Sequence, residues 1–204
     1  MAQKPTLRGV VDAAALAASQ LDELGARYAL IGGLAVSARA EPRYTRDVDL
    51  AIAVARDSEA EHLLFALTSR GYSVITVLEQ TRTGRLSTAR LRHARAPDIF
   101  VDLLFASSGI EAEVATGSER ITYRPGTTLP VARVGHLIAL KVLSESDRRL
   151  QDRIDLDHLG GVATVEDWAT AAAAVRLIKA RSYHRGRALL TRLRHWQAKS
   201  VRLA

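Results

Sequence analysis

Two apolar segments, one ending in glycines and the other carrying carboxylates, constrain this sequence most strongly. The segment that begins at Tyr28 ends in Gly32 and Gly33, and a second apolar segment carries Asp47 and Asp49. If the second segment is a β-strand, its alternate side chains share one face, and the two aspartates lie about 6.5–7 Å apart at their Cα atoms. Two carboxylates on one face repel each other unless a cation lies between them. The pattern therefore indicates a cation site.

The glycine pair indicates an anion site beside the carboxylates. Glycine lets backbone N–H groups approach a ligand closely, and a helix that begins there adds its positive end. Together, the two features predict a site for a metal-bound triphosphate. Two alternatives stay open: Gly32 and Gly33 only form a tight turn, and the two aspartates are rim acids that are solvated or paired with Arg43 and Arg46.

A third carboxylate lies within another apolar segment. Asp102 is flanked by Val101 and Leu103, and an acid in an apolar strand is costly unless it has a partner. We expect Asp102 to join Asp47 and Asp49 from a neighbouring strand, because three acids on two strands can bind a pair of divalent cations.

Two alternatives concern this third segment. Asp98 shares the face of Asp102 at a period of two, but it lies at the start of the strand beside Pro97 and is the weaker candidate. Asp102 could instead be a buried acid that pairs with an arginine of the segment 90–95.

The composition is that of an ordinary globular protein. Of 204 residues, 48% are hydrophobic and 25% are charged, which is enough to form a core. No apolar run approaches the ~20 residues that span a membrane. The chain has no cysteine, so disulfides and thiolate metal sites are excluded and a reducing cytoplasm is expected. The six histidines are dispersed, which argues against a zinc site.

Hydrophobic periodicity predicts a mixed α/β half followed by a helical half. Glycine and proline mark most of the element boundaries. Helices are predicted over 6–24, 33–40 and 58–70, and strands over 27–31, 48–54, 72–78, 86–91 and 99–105. The chain after 134 is predicted to be helical, over 135–143, 147–159, 164–181 and 185–198, with Thr164 as an N-cap.

Four blocks of the sequence resemble, in order, the nucleotidyltransferases of the polymerase-β superfamily. The blocks are 32–50, 101–104, 136–141 and 149–155. Within the superfamily, the chain resembles the toxins of AbiEii and MenT type that occur in bacterial toxin–antitoxin pairs. The resemblance implies an α/β (α+β) fold, with a nucleotidyltransferase core around a mixed β-sheet over 1–134 and a C-terminal helical bundle over 135–204.

The resemblance also implies roles for individual residues. Asp47 and Asp49 would hold Mg²⁺ or Mn²⁺, and Asp102 would complete the metal site and help to deprotonate the acceptor hydroxyl. Gly32 and Gly33 would cradle the triphosphate of an NTP. The family often has serine at the second of these glycine positions, so any role for that hydroxyl is absent here.

Lys141 and a following carboxylate match a helical Lys-and-Asp motif of the family, which is associated with nucleotide contacts. Asp152 is the matching acid, and Asp155 lies one turn further on and could take the same role. Independently of the family, Lys141 belongs to a helix that is apolar nearly all round, so its ammonium is expected to reach a negative group, with snorkelling to the surface as the alternative. Arg43 and Arg46 could neutralise charge on the phosphates.

Positive charge is concentrated at the end of the chain. Nine of the 29 Lys and Arg residues follow Asp167, whereas none of the 22 acids does. The backbone phosphates of a nucleic acid are the natural counterpart. The alternatives are a solvated helix face and an acidic antitoxin as the partner. The candidate nucleic-acid contacts are Arg185, Arg187, Arg192 and Arg194.

The predicted function is metal-dependent transfer of a nucleoside monophosphate from an NTP to an acceptor hydroxyl, with release of pyrophosphate. The resemblance implies the 3′ end of a tRNA as the acceptor, growth arrest as the outcome and a cognate antitoxin as a partner. One alternative is an enzyme that inactivates an antibiotic, which needs no basic C-terminal face. The other is a non-catalytic relative that only binds nucleotide or protein, against which the three acids argue.

Overall fold

A computed structural model describes residues 6–201. Within them the chain forms a seven-stranded mixed sheet and eight α-helices, which confirms the expected mixed α/β fold. The strands are β1 Tyr28–Ile31, β2 Asp47–Ile52, β3 Tyr72–Glu79, β4 Leu86–His93, β5 Ala96–Leu104, β6 Glu119–Arg124 and β7 Thr127–Val131. The helices are α1 Leu7–Glu23, α2 Gly32–Arg39, α3 Asp57–Thr68, α4 Glu111–Thr116, α5 Val134–Ser144, α6 Leu150–Val162, α7 Val165–Ala180 and α8 Leu189–Val201.

The sheet has the strand order β3-β4-β5-β2-β1-β7-β6. β2 lies at its centre, antiparallel to β1 and parallel to β5. The central strands are buried on both faces because α1 contacts β2 and β5, and α2 and α4 also pack on the strands β1 and β2. Polar side chains on β2 and β5 must therefore have a partner or line a cavity.

Side-chain caps fix the start of two helices. The Thr6 hydroxyl accepts a hydrogen bond from the Gly9 N–H, so α1 begins at Leu7. Thr164 and Asp167 form a reciprocal capping box at the start of α7, which confirms Thr164 as the predicted N-cap.

The sequence predicts no element between 106 and 133, where the structure has α4, β6 and β7. α4 has six residues, too few for a helical period to be recognised. β6 is an edge strand whose side chains are all exposed or half-buried, and β7 contains Pro130. Each strand has only two apolar residues at alternate positions, Ile121 and Tyr123 in β6 and Leu129 and Val131 in β7, which is too short a pattern to identify a strand.

Two of the C-terminal helices differ from their predicted bounds. α8 begins at Leu189 rather than at 185, because Arg185 and Gly186 have φ values of 53° and 71° and cannot belong to a right-handed helix. α6 continues through Gly160, where a Cβ would lie 3.2 Å from the Cβ of Ser200. This glycine allows α6 and α8 to pack closely rather than ending the helix.

The last four helices lie against the sheet domain through α5 and α6, which both contact α2. The division of the chain into units 1–134 and 135–204 stays a prediction, and residues 1–5 and 202–204 of those units lie outside the described residues. Across residues 6–201, no helix combines the length and the apolar character that crossing a membrane requires.

Candidate active site

The strand register places four charged side chains on one face of the sheet. Asp49 on β2 lies directly opposite Asp102 on β5, and Asp102 lies directly opposite Arg90 on β4. Asp47 precedes Asp49 by two residues on β2 and shares its face. The three predicted acids are thus neighbours, and an arginine lies beside them.

The glycine pair lets the main chain pass close to this cluster. Gly32 follows β1 with a φ of +64°, and a Cβ there would lie 1.8 Å from Oδ2 of Asp49. A Cβ at Gly33 would lie 2.6–2.9 Å from the guanidinium atoms of Arg43. Gly32 requires glycine because of its positive φ and the overlap with Asp49, whereas a side chain at Gly33 would only have to move the end of the flexible Arg43 side chain. α2 begins at Gly32, so the positive end of this helix lies beside the acids.

Replacing Gly32 with Ala is expected to lower the free energy of unfolding by roughly 2–3 kcal/mol. Both the positive φ and the overlap with Asp49 oppose a methyl group. Gly84→Ala is the matched control, because Gly84 has a φ of +66° but open space around a Cβ; it should cost about 1 kcal/mol. Urea unfolding measures both variants, and equal losses would contradict the importance of the contact with Asp49.

The Asp49 carboxyl lies in an unfavourable electrostatic environment. Burial, and then repulsion from Asp102, raise its pKa from 3.8 to about 6, while Lys141 acts in the opposite direction. Burial also raises the pKa of Asp47. In residues 6–201 no hydrogen bond or ion pair involves the Asp49 carboxylate. A cation beside Asp47 and Asp49 would relieve the repulsion between them.

Asp102, in contrast, already has a cationic partner. Arg90 Nε–H donates to Asp102 Oδ1 at 2.8 Å, and Arg90 Nη2–H donates to Asp102 Oδ2 at 2.6 Å. The Arg90 guanidinium also lies 5.0 Å from the ring centroid of Phe100, and its Nη2 lies 3.9 Å from Oδ2 of Asp47. This is the arginine pairing that the sequence analysis kept as the alternative for Asp102.

Asp47 and Asp49 fit a divalent cation, whereas Asp102 is already paired with Arg90 in this arrangement. Mg²⁺ is usually bound by one or two carboxylates together with substrate phosphates and water, and Asp47 and Asp49 supply such a pair. Both Asp102 oxygens accept hydrogen bonds from Arg90. In the part of the chain that the structure describes, no three His, Cys, Asp or Glu side chains are arranged to hold a metal ion. Arg90 therefore competes with a metal ion for Asp102 in this arrangement, and the three-acid metal site stays a prediction.

Lys141 forms a buried ionic network instead of reaching the surface. Its Nζ lies 2.8 Å from Asp152 Oδ1 and 2.7 Å from Asp155 Oδ2. Arg43 Nε lies 2.7 Å from Asp155 Oδ1, and Gln151 donates to the same oxygen. Burial disfavours ionisation of Asp155, but Lys141 and Arg43 outweigh it and hold the pKa of this carboxyl below its ordinary value. The Asp155 carboxylate is thus the fixed centre that orients Lys141 and Arg43.

Asp152 and Asp155 have different surroundings, which the sequence could not distinguish. Asp155 is fully buried and does not line the cavity described below. Asp152 lines the cavity, and its Oδ2 is buried without a hydrogen-bond partner among the described residues. Of the two acids, Asp152 is therefore the one that can contact a ligand.

The cluster borders a cavity of about 750 Å³, within the range of about 300–1,000 Å³ that is typical of ligand sites. The predicted residues that line it are Gly32, Gly33, Arg43, Arg46, Asp47, Asp49, Asp102, Lys141, Asp152 and Arg185. Arg90 and Arg149 line it as well, although the sequence analysis did not select them as site residues. Arg90 could have been selected from the sequence because it lies in the segment 90–95, whose arginines could pair with Asp102. Arg149 could have been selected because it belongs to the block 149–155 that resembles the family.

The four candidate nucleic-acid arginines are placed differently. Arg185 lines the cavity and donates from Nη2 to the Ser107 carbonyl at 3.1 Å. Arg187 and Arg192 turn inward and donate to the Glu145 carbonyl just beyond the end of α5. Arg194 is exposed on α8, outside the cavity. Arg185 is thus the candidate that lies near the acids, and nucleic-acid contact by all four stays a prediction.

Comparisons with known proteins agree with the resemblance found in the sequence. A family model described as the nucleotidyl transferase AbiEii toxin of a type IV toxin–antitoxin system matches residues 14–203. No curated protein sequence matches this chain.

Several solved structures are similar in fold. An antigenic nucleotidyltransferase-like protein from Paracoccidioides brasiliensis has a TM-score of 0.54 at 18% identity, over 93% of this chain and 94% of that one. The lincomycin-bound lincosamide antibiotic adenylyltransferase LnuA has a TM-score of 0.47 at 13% identity, over 79% of this chain and 100% of that one. JHP933 from Helicobacter pylori has a TM-score of 0.43 at 11% identity, over 97% of this chain and 92% of that one.

Proposed function

This chain belongs to the AbiEii nucleotidyl transferase toxins of type IV toxin–antitoxin systems and is a nucleotidyltransferase, and we propose that it transfers a nucleoside monophosphate from an NTP to the 3′-terminal hydroxyl of a tRNA. In this reaction the acceptor oxygen bonds to the α-phosphorus, the bond to the β-phosphate breaks and pyrophosphate leaves. The reaction depends on Mg²⁺ or Mn²⁺, arrests growth in the cytoplasm and is countered by a cognate antitoxin.

The observation that carries this proposal is the position of Asp49. Its half-buried carboxylate lies against the Gly32 main chain and opposite Asp102, at the wall of a cavity that Lys141 and Arg43 also line. A cluster of acids beside cations and backbone N–H groups is arranged for a metal-bound polyphosphate rather than for an uncharged ligand.

The NTP side of the site consists of the glycines and the cations around α2. Asp47 and Asp49 would hold the metal ion, which when bound would polarise the phosphate and align the nucleophile with the leaving group. Gly33 N–H at the start of α2, together with Arg43 and Lys141, compensates the negative charge of the phosphates. Arg46 lines the same cavity and adds positive charge at its exposed edge.

Two arginines are placed to bind the acceptor RNA. Arg149 and Arg185 line the cavity, and within residues 6–201 neither is engaged in a close ion pair: Arg149 Nη1 lies 3.9 Å from Asp152 Oδ2, and Arg185 contacts Ser107. Burial, and then repulsion from Arg187 and Arg149, lower the pKa of Arg185. A phosphodiester near the acceptor hydroxyl would satisfy both Arg149 and Arg185. Asp102 is the carboxylate that takes the proton from that hydroxyl.

Arg185→Gln is expected to raise the KM for tRNA by about three- to tenfold. It should also reduce, by about one, the slope of the logarithm of the tRNA-binding constant against the logarithm of the salt concentration. The KM for the NTP should not change, because Arg185 contacts Ser107 rather than α2 or β2. Arg56→Gln is the charge-matched control, since Arg56 is exposed at the start of α3 and outside the cavity. Steady-state kinetics at two salt concentrations provide the measurement, and an equal effect of both variants would contradict a local contact.

The proposed function is tested by incubating the protein with each labelled NTP, Mg²⁺ and total tRNA. The wild type should label tRNA at its 3′ end, and Asp49→Asn should not. Transfer of label to a small antibiotic but not to RNA would replace the tRNA proposal, and nucleotide binding without transfer to any acceptor would contradict it. In a bacterial host, expression of the wild type should stop growth, whereas expression of Asp49→Asn should not.

A further inference from the structure

Arg90 is paired with Asp102, the carboxylate that would complete the metal site. Its Nε and Nη2 each donate to one oxygen of Asp102, at 2.8 and 2.6 Å, so both oxygens are engaged. This bidentate arrangement is the geometry in which a guanidinium binds a carboxylate most strongly. Each carboxylate oxygen keeps a second lone pair, so the guanidinium does not block Asp102 completely, but its positive charge at both oxygens opposes the binding of a metal ion there.

The guanidinium is placed where it can exchange partners. The Arg90 side chain is 40% exposed and lines the cavity, whereas that of Asp102 is 12% exposed. Arg90 rests on the Phe100 ring at 5.0 Å, a contact that supports the pair from one side without enclosing it. Its carboxylate partners in the described chain are Asp102 and, at 3.9 Å, Asp47.

Two other cations of the site, Lys141 and Arg43, are already paired with other carboxylates. Lys141 is bound by Asp152 and Asp155, and Arg43 is bound by Asp155. Asp102 thus depends on Arg90 for charge compensation while no metal is bound, since it is buried and lies next to Asp49.

We propose that Arg90 is the resting counter-ion of Asp102 and is exchanged for a divalent cation when the metal–NTP complex enters the cavity. The inference rests on the proposed function. Before exchange, only Asp47 and Asp49 are open to a metal, so the metal alone binds weakly. During exchange, the phosphates of the NTP give Arg90 a new anionic partner, and Asp102 becomes free to bind metal and to accept the acceptor's proton. Arg90 is a positioning residue that couples metal binding to NTP binding.

The test measures Mn²⁺ binding to the NTP-free protein from the electron paramagnetic resonance signal of free Mn²⁺. Arg90→Gln is expected to bind Mn²⁺ about tenfold more tightly than the wild type, because it removes a competitor for Asp102 and a nearby positive charge. Arg90→Lys keeps the charge but loses the bidentate geometry, so its affinity should lie between the two. Adding a non-hydrolysable NTP should tighten Mn²⁺ binding more for the wild type than for Arg90→Gln.

Arg92→Gln is the matched control for charge. Arg92 lies two residues along β4, is exposed and pairs in register with Phe100 rather than with Asp102. If Arg92→Gln tightens Mn²⁺ binding as much as Arg90→Gln does, or if Arg90→Gln binds Mn²⁺ no better than the wild type, the exchange is overturned while the nucleotidyltransferase proposal stands. Absence of Mn²⁺ binding by every protein, with and without NTP, overturns both. Far-ultraviolet circular dichroism verifies that each variant is folded.

Discussion

Asp49→Asn is expected to reduce nucleotidyl transfer by about 10³-fold or more without lowering the free energy of unfolding. Asparagine has the shape of aspartate, so it fits beside Gly32, but it lacks the charge that would hold a metal ion. Because burial and neighbouring acids already oppose ionisation of Asp49, removing the charge relieves repulsion in the metal-free protein. Loss of activity without loss of stability distinguishes a functional carboxylate from a structural one.

The pH dependence of stability provides a second measurement on the same variant. The pKa of Asp49 is raised from 3.8 to about 6 in the folded protein, so the folded state holds the proton more tightly than the unfolded state does. The stability that comes from this proton is complete below the unfolded pKa and is lost as the pH rises through the folded one. The wild type should therefore lose stability between about pH 4 and pH 7, whereas Asp49→Asn should not. Urea unfolding in EDTA should show that the free energy of unfolding of Asp49→Asn, relative to that of the wild type, rises by roughly 2–3 kcal/mol over this range.

Asp98→Asn is the control for both experiments. Asp98 belongs to β5, as Asp102 does, but it is exposed and lies outside the cavity. We expect transfer and pH-dependent stability like those of the wild type. If Asp49→Asn keeps more than a small part of the activity, or unfolds more easily than Asp98→Asn at neutral pH, the functional assignment of Asp49 is wrong.

Asp155→Asn is expected to lower the free energy of unfolding by roughly 3–5 kcal/mol, the cost of removing one member of a buried ionic network. The Asp155 side chain is fully buried between Lys141 and Arg43, and its loss leaves both cations poorly compensated. Both cations line the cavity, so activity should fall as well. Thermal and urea unfolding measure the effect on stability.

Asp152→Asn is the matched comparison and decides between the two acids. Asp152 binds Lys141 through Oδ1, while its Oδ2 has no hydrogen-bond partner among the described residues. The variant should lower the free energy of unfolding by about 1 kcal/mol. Its main effect should be a higher KM for the NTP, because Asp152 is the acid that lines the cavity. Equal destabilisation by both variants would contradict the division of roles between Asp152 and Asp155.

The central part of the fold could be predicted from the sequence because its signals are local. Apolar runs with alternating acids identify β2 and β5, and the glycine pair identifies the end of β1 and the start of α2. The elements not predicted, α4, β6 and β7, have five or six residues each, and each carries too few apolar positions for a period to be recognised. The predicted start of α8 at 185 is too early because the left-handed conformation of Arg185 is set by its loop, not by its residue type.

The sequence by itself determined the family, the mixed α/β class and the set of acids, glycines and Lys141 from which the site is built, because these depend on residue types and spacings within single segments. Tertiary structure alone decided how those residues are paired. Register between β2, β5 and β4 placed Asp49, Asp102 and Arg90 side by side, and packing of α5 and α6 on α2 joined Arg43 and Lys141 to Asp155. The pairing of each carboxylate with its cation depends on distances between segments that are far apart in the chain. Coulomb energies fall with distance in space rather than along the sequence, so the sequence alone does not fix these pairs.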